Sequence, residues 1–195
     1  PRFAHFDIYG WNPAAAPARP KGGVGMGARA LLEALQASGL ADNTVIIFSS
    51  DHGEMLGERG LWLKKTFFEQ ALRVPLIIHA PGRFKPGRVR EFASLLDLLP
   101  TCASLGSDGA WDGAVEPLDG KDLTPYLEAG TAAPKRTVYA ELLCEGILAP
   151  IFMIRRGRFK FLTSKGDPDQ LFDLEADPDE LNNLAGEAKH ADLVA

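Results

Sequence analysis

The chain has 195 residues, 46% of them hydrophobic and 24% charged, with a formal net charge of −5. That is enough material for one cored domain, or for one domain with a small appendage. The acidic balance argues against a nucleic-acid partner, which calls for a basic face, and no apolar run approaches the roughly 20 residues that span a bilayer, so a soluble protein without a membrane partner is expected. Cys102 and Cys144 sit far apart in apolar stretches, a setting of reduced, packed thiols rather than of a disulfide framework or a zinc site. No basic, apolar and small-residue succession opens the chain. Its absence favours the cytoplasm, and an N-terminus outside this sequence leaves the periplasm open.

Pro1 to Gly23 joins a few aromatics to an Ala, Pro and Gly tract that sustains neither helix nor strand, and reads as an irregular or linker segment. From Gly27 to Ser38, Leu31, Leu32 and Leu35 recur at helical spacing, with Glu33 and Gln36 opposite and Gly39 as a helix-ending residue. An amphipathic helix is predicted there. Ala41 to Asn43 turns the chain into Thr44–Ser50, a continuous apolar run of the type buried on both faces. Leu76 to His79 repeats that character, and Val89 to Ser94 is a candidate third strand. Asp97 is placed to cap a helix through Leu105 whose packed side would be Leu98, Leu99, Cys102 and Leu105. Helices alternating with apolar strands predict an α/β fold over residues 24–106, a mostly parallel sheet covered by helices.

Composition turns to Gly, Asp, Pro and Ala over 107–136, a loop-rich connection with one short helical piece near Leu123 to Glu128. Beyond it, Val138–Leu143, Phe152–Arg156, Arg158–Thr163 and Gln170–Leu174 are extended runs separated by Gly or Pro turns. They predict an antiparallel meander, making 137–195 a small C-terminal subdomain. A polar turn from Asp177 to Leu184 leads to an apolar-periodic helix that begins near Gly186 and is still running at Ala195. A helix interrupted there is expected of a fragment of a longer chain.

Chemistry concentrates between Ser49 and Pro75. Asp51 and His52 follow an apolar strand, at the edge where an α/β sheet presents its ligands. Gly53 permits a bend through which two adjacent side chains can reach one ion. A carboxylate and a neutral imidazole suit a divalent cation such as calcium, magnesium or manganese, with further ligands from elsewhere. The same tripeptide also reads as a polar turn, and Lys64 and Lys65 as solvated lysines. Trp62, Phe67 and Phe68 read as core, and His79 as a packed histidine.

The run from Asp42 to Glu69, with Asp51-His-Gly53 and Gly57-Glu-Arg-Gly-Leu-Trp62 inside it, continues to Arg73-Val-Pro-Leu-Ile-Ile78 and resembles the second metal-binding motif of the sulfatase family. Its form is most similar to that of the choline sulfatases and of the phosphonate monoester hydrolases. Ser94-Leu-Leu-Asp-Leu-Leu-Pro-Thr101, Leu118-Asp-Gly-Lys-Asp-Leu123 and Leu171-Phe-Asp-Leu-Glu-Ala-Asp-Pro-Asp-Glu-Leu-Asn-Asn-Leu184 resemble successive landmarks of that family, in its order. The resemblance implies the C-terminal part of a sulfatase or alkaline phosphatase-like sheet. It implies a metal-dependent sulfuric ester hydrolase with choline sulfate as the favoured substrate, and phosphonate monoester or phosphodiester hydrolysis as the alternative.

By the same resemblance Asp51 and His52 would be metal ligands, with Ca2+ ahead of Mn2+ or Mg2+. Lys64 would be the catalytic and substrate-binding ammonium on the sulfate and leaving-group oxygens. Glu141, with Glu145 as its neighbouring candidate, would face the quaternary ammonium of choline. The family's formylglycine nucleophile is made from Cys, or less often Ser, in a Cys-x-Pro-x-Arg motif. Cys102 is followed by Ala-Ser-Leu-Gly and Cys144 by Glu-Gly-Ile-Leu, so formylglycine is not encoded here, and Asp7 is a lone carboxylate where the family pairs two. The chain alone is expected to be inactive, with a missing N-terminal half or a homo-oligomeric interface at the C-terminal helix as its partners. A non-catalytic remnant that acts as a binding module is the reading from another class.

Overall fold

A computed structural model of the protein describes residues 4, 11–12, 22–23, 25–107, 111, 113–128, 135–143 and 146–194. Strands β1 (Trp11–Asn12) and β2 (Gly22–Gly23) pair antiparallel. Nearly all of the predicted linker, together with Cys144 and Glu145, lies outside the described residues. Helix α1 (Met26–Ala37) forms where the leucine spacing predicts it. It stops where Gly39 takes a positive φ of 69° and the chain turns back on the last carbonyls.

A short 3-10 turn leads into β3 (Ile46–Ser49), followed by β4 (Met55–Leu56), β5 (Trp62–Leu63), α2 (Glu69–Leu72) and β6 (Leu76–His79). β3 pairs with β6 antiparallel, from Ile46 opposite His79 to Ser49 opposite Leu76. Among the described residues every strand pair is antiparallel, which corrects the mostly parallel arrangement predicted for this region. The connection, residues 50–75, is long enough for a crossover but folds into a small hairpin and a four-residue helix, not into the longer helix that usually carries a parallel return.

The pair is also not buried on both faces. Ile47 and Ile78 are half-buried, while Phe48 and Ile77, which stand opposite each other, are exposed, as is His79. The predicted strand at 89–94 is irregular.

Ser94, rather than Asp97, begins the next helical segment. Its Oγ accepts the Leu96 N–H while the Asp97 carboxylate accepts the Ser94 N–H, a capping box. Helix α3 (Leu98–Gly106) then buries Pro100, Thr101 and Ser104, and Leu99 is 62% exposed. Polar groups define that buried side because they hold the following loop. Asp97 accepts the Lys121 N–H and the Arg136 guanidinium, and Thr101 accepts the Leu123 N–H. Gly120 approaches so closely that a Cβ there would lie 1.9 Å from the Leu96 carbonyl oxygen.

After α4 (Thr124–Leu127), strands β7 (Thr137–Leu142), β8 (Ile151–Arg156), β9 (Phe159–Ser164) and β10 (Gln170–Asp173) form the predicted meander in sequential order. Met153, Leu162 and Phe172 from this sheet pack around Phe67, with Phe68 and Leu72 beside them. The loop that follows Lys64 therefore completes the core of the C-terminal sheet. The predicted terminal helix is short, a 3-10 turn followed by α5 (Ala191–Val194). Among the described residues no helix is long and apolar enough to cross a membrane.

Burial pushes the Asp97 carboxyl up, but the Arg136 fork and the N–H groups of Ser94 and Lys121 outweigh it and hold it below the usual carboxylate value. Because the folded value is depressed, Asp97 stabilises the fold above the unfolded value of about 3.9 and loses that contribution as pH falls through the folded one. Asp97→Asn is expected to cost about 3 kcal/mol at neutral pH by leaving Arg136 without its charge partner. The difference from wild type should shrink below about pH 4. Urea unfolding at both pH values checks this.

Candidate functional site

β3 ends at Ser49, and the chain bends at once. The Ser50 hydroxyl donates to the His52 carbonyl at 2.7 Å, the Gly53 N–H donates to the Ala71 carbonyl at 2.7 Å, and the Glu54 N–H donates to the Gln70 carbonyl at 3.0 Å. A Cβ on Gly53 would stand 1.9 Å from the Gln70 oxygen, so only glycine lets the loop lie against α2. In this bent loop the adjacent Asp51 and His52 converge, with Asp51 Oδ2 3.4 Å from His52 Nε2.

His52 Nδ1 lies 2.6 Å from the Gly53 carbonyl oxygen, which can only accept, so the ring hydrogen sits on Nδ1. Nε2 is left with its lone pair. Lys64 Nζ, which can only donate, lies 2.7 Å from that nitrogen. Limited burial raises the Asp51 carboxyl, but the His52 ring, the N–H groups of Asp51 and His52 and the Lys64 ammonium hold it below the usual carboxylate value.

Lys64 arrives from the β4–β5 hairpin, in which Met55 is opposite Leu63 and Leu56 is opposite Trp62. The hairpin is tightly wound. Arg59 at φ 56° and Leu63 at φ 75° are left-handed non-glycine residues, and Leu63 directly precedes Lys64. Trp62 is 68% exposed at this hairpin and is not core, whereas Phe67 is buried and Phe68 is half-buried beneath the Arg59 guanidinium.

The structure thus brings Asp51, His52 and Lys64 together, and Glu141 stands apart from them. Glu141 lies on the outward face of β7, directly opposite Phe152 on β8 and two residues from Tyr139, all three exposed. Glu145 lies outside the described residues. Sequence reasoning gave no role to Arg59, Glu69, Lys160 or Glu180, which hold the loop in place. A signal for Lys160 exists: it shares the core-facing register of β9 with Leu162, and a lysine there must find acceptors indoors.

Donors bind divalent ions at about 2.0–2.6 Å, so an oxygen and a nitrogen 3.4 Å apart can touch one ion. Among the described residues no group of three or more His, Cys, Asp or Glu side chains surrounds such a position. In this structure the Nε2 lone pair faces Lys64 Nζ, so Asp51 and His52 fit a divalent cation as half of a site once the ammonium has moved off Nε2.

The fold is that of the sulfatase and alkaline phosphatase-like α/β class, to which the solved structures that superpose on the chain belong. Residues 27–107 match the sulfatase family. The choline-sulfatase of Rhizobium meliloti is 44% identical over 80% of this chain and 30% of its own length. Arylsulfatase K of Gallus gallus is 35% identical over 80% of this chain and 30% of its own length. The crystal structure of a phosphonate monoester hydrolase of Agrobacterium radiobacter superposes with a TM-score of 0.72 at 34% identity, over 85% of this chain and 36% of that one. The chain belongs to the sulfatase family, and it spans about 30% of the length of these curated relatives.

Gly53→Ala is expected to destabilise the protein by about 1–3 kcal/mol, the usual cost of forcing an extra methyl into a packed site. Denaturant unfolding measures the loss. Amide shifts of residues 51–54 and 70–72 should move furthest.

Proposed function

We propose that this chain forms part of a metal-dependent sulfuric ester hydrolase acting on choline sulfate. The observation that carries the reading is the convergence of Asp51, His52 and the Lys64 ammonium at the end of β3. Asp51 and His52 would hold one side of a divalent ion, Ca2+ ahead of Mn2+ or Mg2+, with the Lys64 ammonium turned from His52 Nε2 towards the substrate, since carboxylate oxygen and neutral imidazole suit such ions. When bound, that ion supplies Lewis-acid stabilisation of the anionic ester. Its remaining ligands and the formylglycine nucleophile come from outside these 195 residues.

Lys64 acts on the other side of the substrate. As the S–O bond breaks, negative charge grows on the sulfate oxygens and on the leaving oxygen, and an ammonium already fixed nearby stabilises it without reorganising. Glu141 recognises the quaternary ammonium of choline. That cation cannot donate hydrogen bonds, and a carboxylate on one face with Tyr139 and Phe152 offers charge and aromatic surface instead. Exposed Phe48 and Ile77 give the remainder of a longer chain an apolar face to cover.

Phosphonate monoester hydrolysis is the second reading, favoured by the likeness to the Agrobacterium radiobacter hydrolase. An ammonium beside a cation suits either tetrahedral anion.

The 195-residue chain by itself should show no turnover of choline sulfate, and measurable hydrolysis by the pure chain would overturn the reading of an incomplete site. In the full-length enzyme, Lys64→Ala should lower kcat by about a hundredfold or more. Glu141→Gln should raise KM for choline sulfate and leave an aryl sulfate unaffected. A full-length enzyme that prefers a phosphonate monoester to choline sulfate would favour the second reading.

A further inference from the structure

We propose that the turn from Asp177 to Leu184 is a positioning clasp for Lys64, with Arg59 and Glu180 as its positioning residues. Lys64 lies midway along a loop whose two flanks reach the same turn. Upstream of it, Arg59 donates to the Asp179 carbonyl at 2.6 Å and to the Glu180 carbonyl. Downstream, the Glu69 N–H donates to Glu180 Oε2 at 2.7 Å, and Lys160 Nζ pairs with Glu180 while donating to the Phe67 carbonyl at 2.8 Å and to Glu69 Oε1 at 3.0 Å. One residue of the turn thus meets the loop on both sides of Lys64.

The turn is rigid enough to serve as a reference frame. Asn183 Oδ1 accepts the N–H groups of Leu171 and Ala185, its amide donates to the Asp169 carbonyl, and the Leu184 N–H donates to the Leu171 carbonyl at 2.8 Å. Asp177 accepts the Asn182 N–H at 2.7 Å. These bonds fix the turn to β10 and hence to the four-stranded sheet. Placement by the sheet, not by the hairpin alone, then decides where the ammonium sits.

Backbone strain points the same way. Among the described residues, the non-glycine positions with positive φ are Arg59, Leu63 and Glu180. Two make the clasp, and the third is the residue before Lys64. Each such conformation costs on the order of 1–3 kcal/mol and persists only where surrounding contacts over-determine it. The buried ion pair fits as well. Lys160 and Glu180 are both fully buried, and an apolar pair of similar volume would stabilise a core as well or better. What the charges add is direction, because the ammonium selects the Phe67 carbonyl and the Glu69 carboxylate, and these fix the loop's register.

The proposal rests on Lys64 as the anion-contacting ammonium, but its test reads the loop itself and stands whether or not the full-length enzyme cleaves a sulfate. Hydrogen exchange by mass spectrometry on the intact chain compares Arg59→Gln, Arg59→Lys and Glu180→Gln with wild type. The clasp requires amides of 54–66 to exchange about tenfold faster in Arg59→Gln, the effect of losing one charge-assisted hydrogen bond, with β8 and β9 unchanged, and at least as much faster in Glu180→Gln, where β9 also loosens because Lys160 loses a charge partner. It also requires Arg59→Lys to restore protection, because a single ammonium can reach both carbonyls and remain over Phe68. Trypsin should cut after Lys64 or Lys65 faster in the two glutamine variants and at the wild-type rate in Arg59→Lys. If Glu180→Gln fails to fold, the two Arg59 variants decide. Unchanged exchange in 54–66 for Arg59→Gln, equal acceleration across β8 and β9 in that variant, or no recovery in Arg59→Lys would each overturn the clasp.

Discussion

Lys160 reaches from the core-facing side of β9 into a space closed to solvent, where its ammonium meets the Phe67 carbonyl and the carboxylates of Glu69 and Glu180. An unpaired charge in such a place would be prohibitively costly, and removing one member of a buried pair leaves the other uncompensated. The interaction therefore has force mainly in the negative. Separating the C-terminal sheet from the loop after Lys64 breaks the bonds of Lys160 to Phe67 and Glu69 and that of the Glu69 N–H to Glu180 together. The hydrophobic cluster of Phe67, Met153, Leu162 and Phe172 spans the same seam, so polar and apolar contacts bind the sheet to the loop as one unit.

Much of the fold was legible because it follows simple periods. The leucines of α1 recur at helical spacing, and β7 to β10 alternate between Gly and Pro turns, so both appear where predicted. The positions of β3 and β6 were legible too, but their mutual direction was not. A continuous apolar run says that a strand forms and says nothing of which way its neighbour runs; the pairing of Ile46 with His79 through Ser49 with Leu76 shows the antiparallel direction. The face of α3 was misread for a different reason. Its buried side carries Asp97, Thr101 and Ser104, and a hydrophobic pattern does not register side chains buried to hold backbone. Asp51, His52 and Lys64 could be singled out through a recognisable motif, whereas Lys160 and Glu180 drew no reading, since the loop groups that they meet lie 93 and 111 residues away.

Two of the sequence landmarks acquire a physical meaning from the backbone rather than from chemistry. In Asp51-His-Gly53 the glycine admits the carbonyl of Gln70, and in Leu118-Asp-Gly120 it admits the carbonyl of Leu96. The polar residues of the first segment face outward as candidate ligands, and its glycine faces inward as a spacer of no width. In the second, the glycine lets Lys121 present its N–H to Asp97, which also receives Arg136 from just before β7. Such segments resist substitution at adjacent positions for unrelated reasons.

The contacts between Arg59 and the turn at Asp179 and Glu180 bridge 120 and 121 residues. On a ribosome, where the chain emerges at about 5–20 residues per second, the hairpin would wait on the order of ten seconds for its counterpart, far longer than a hairpin needs to form by itself. Asp51 and His52 can meet early, since they are neighbours, but the loop that carries Lys64 acquires its final shape only after the last strand and its turn have been synthesised. Assembly of the candidate site is thereby tied to completion of translation through Glu180. A nascent chain stalled short of that residue would carry the polar residues of the site without the frame that sets them.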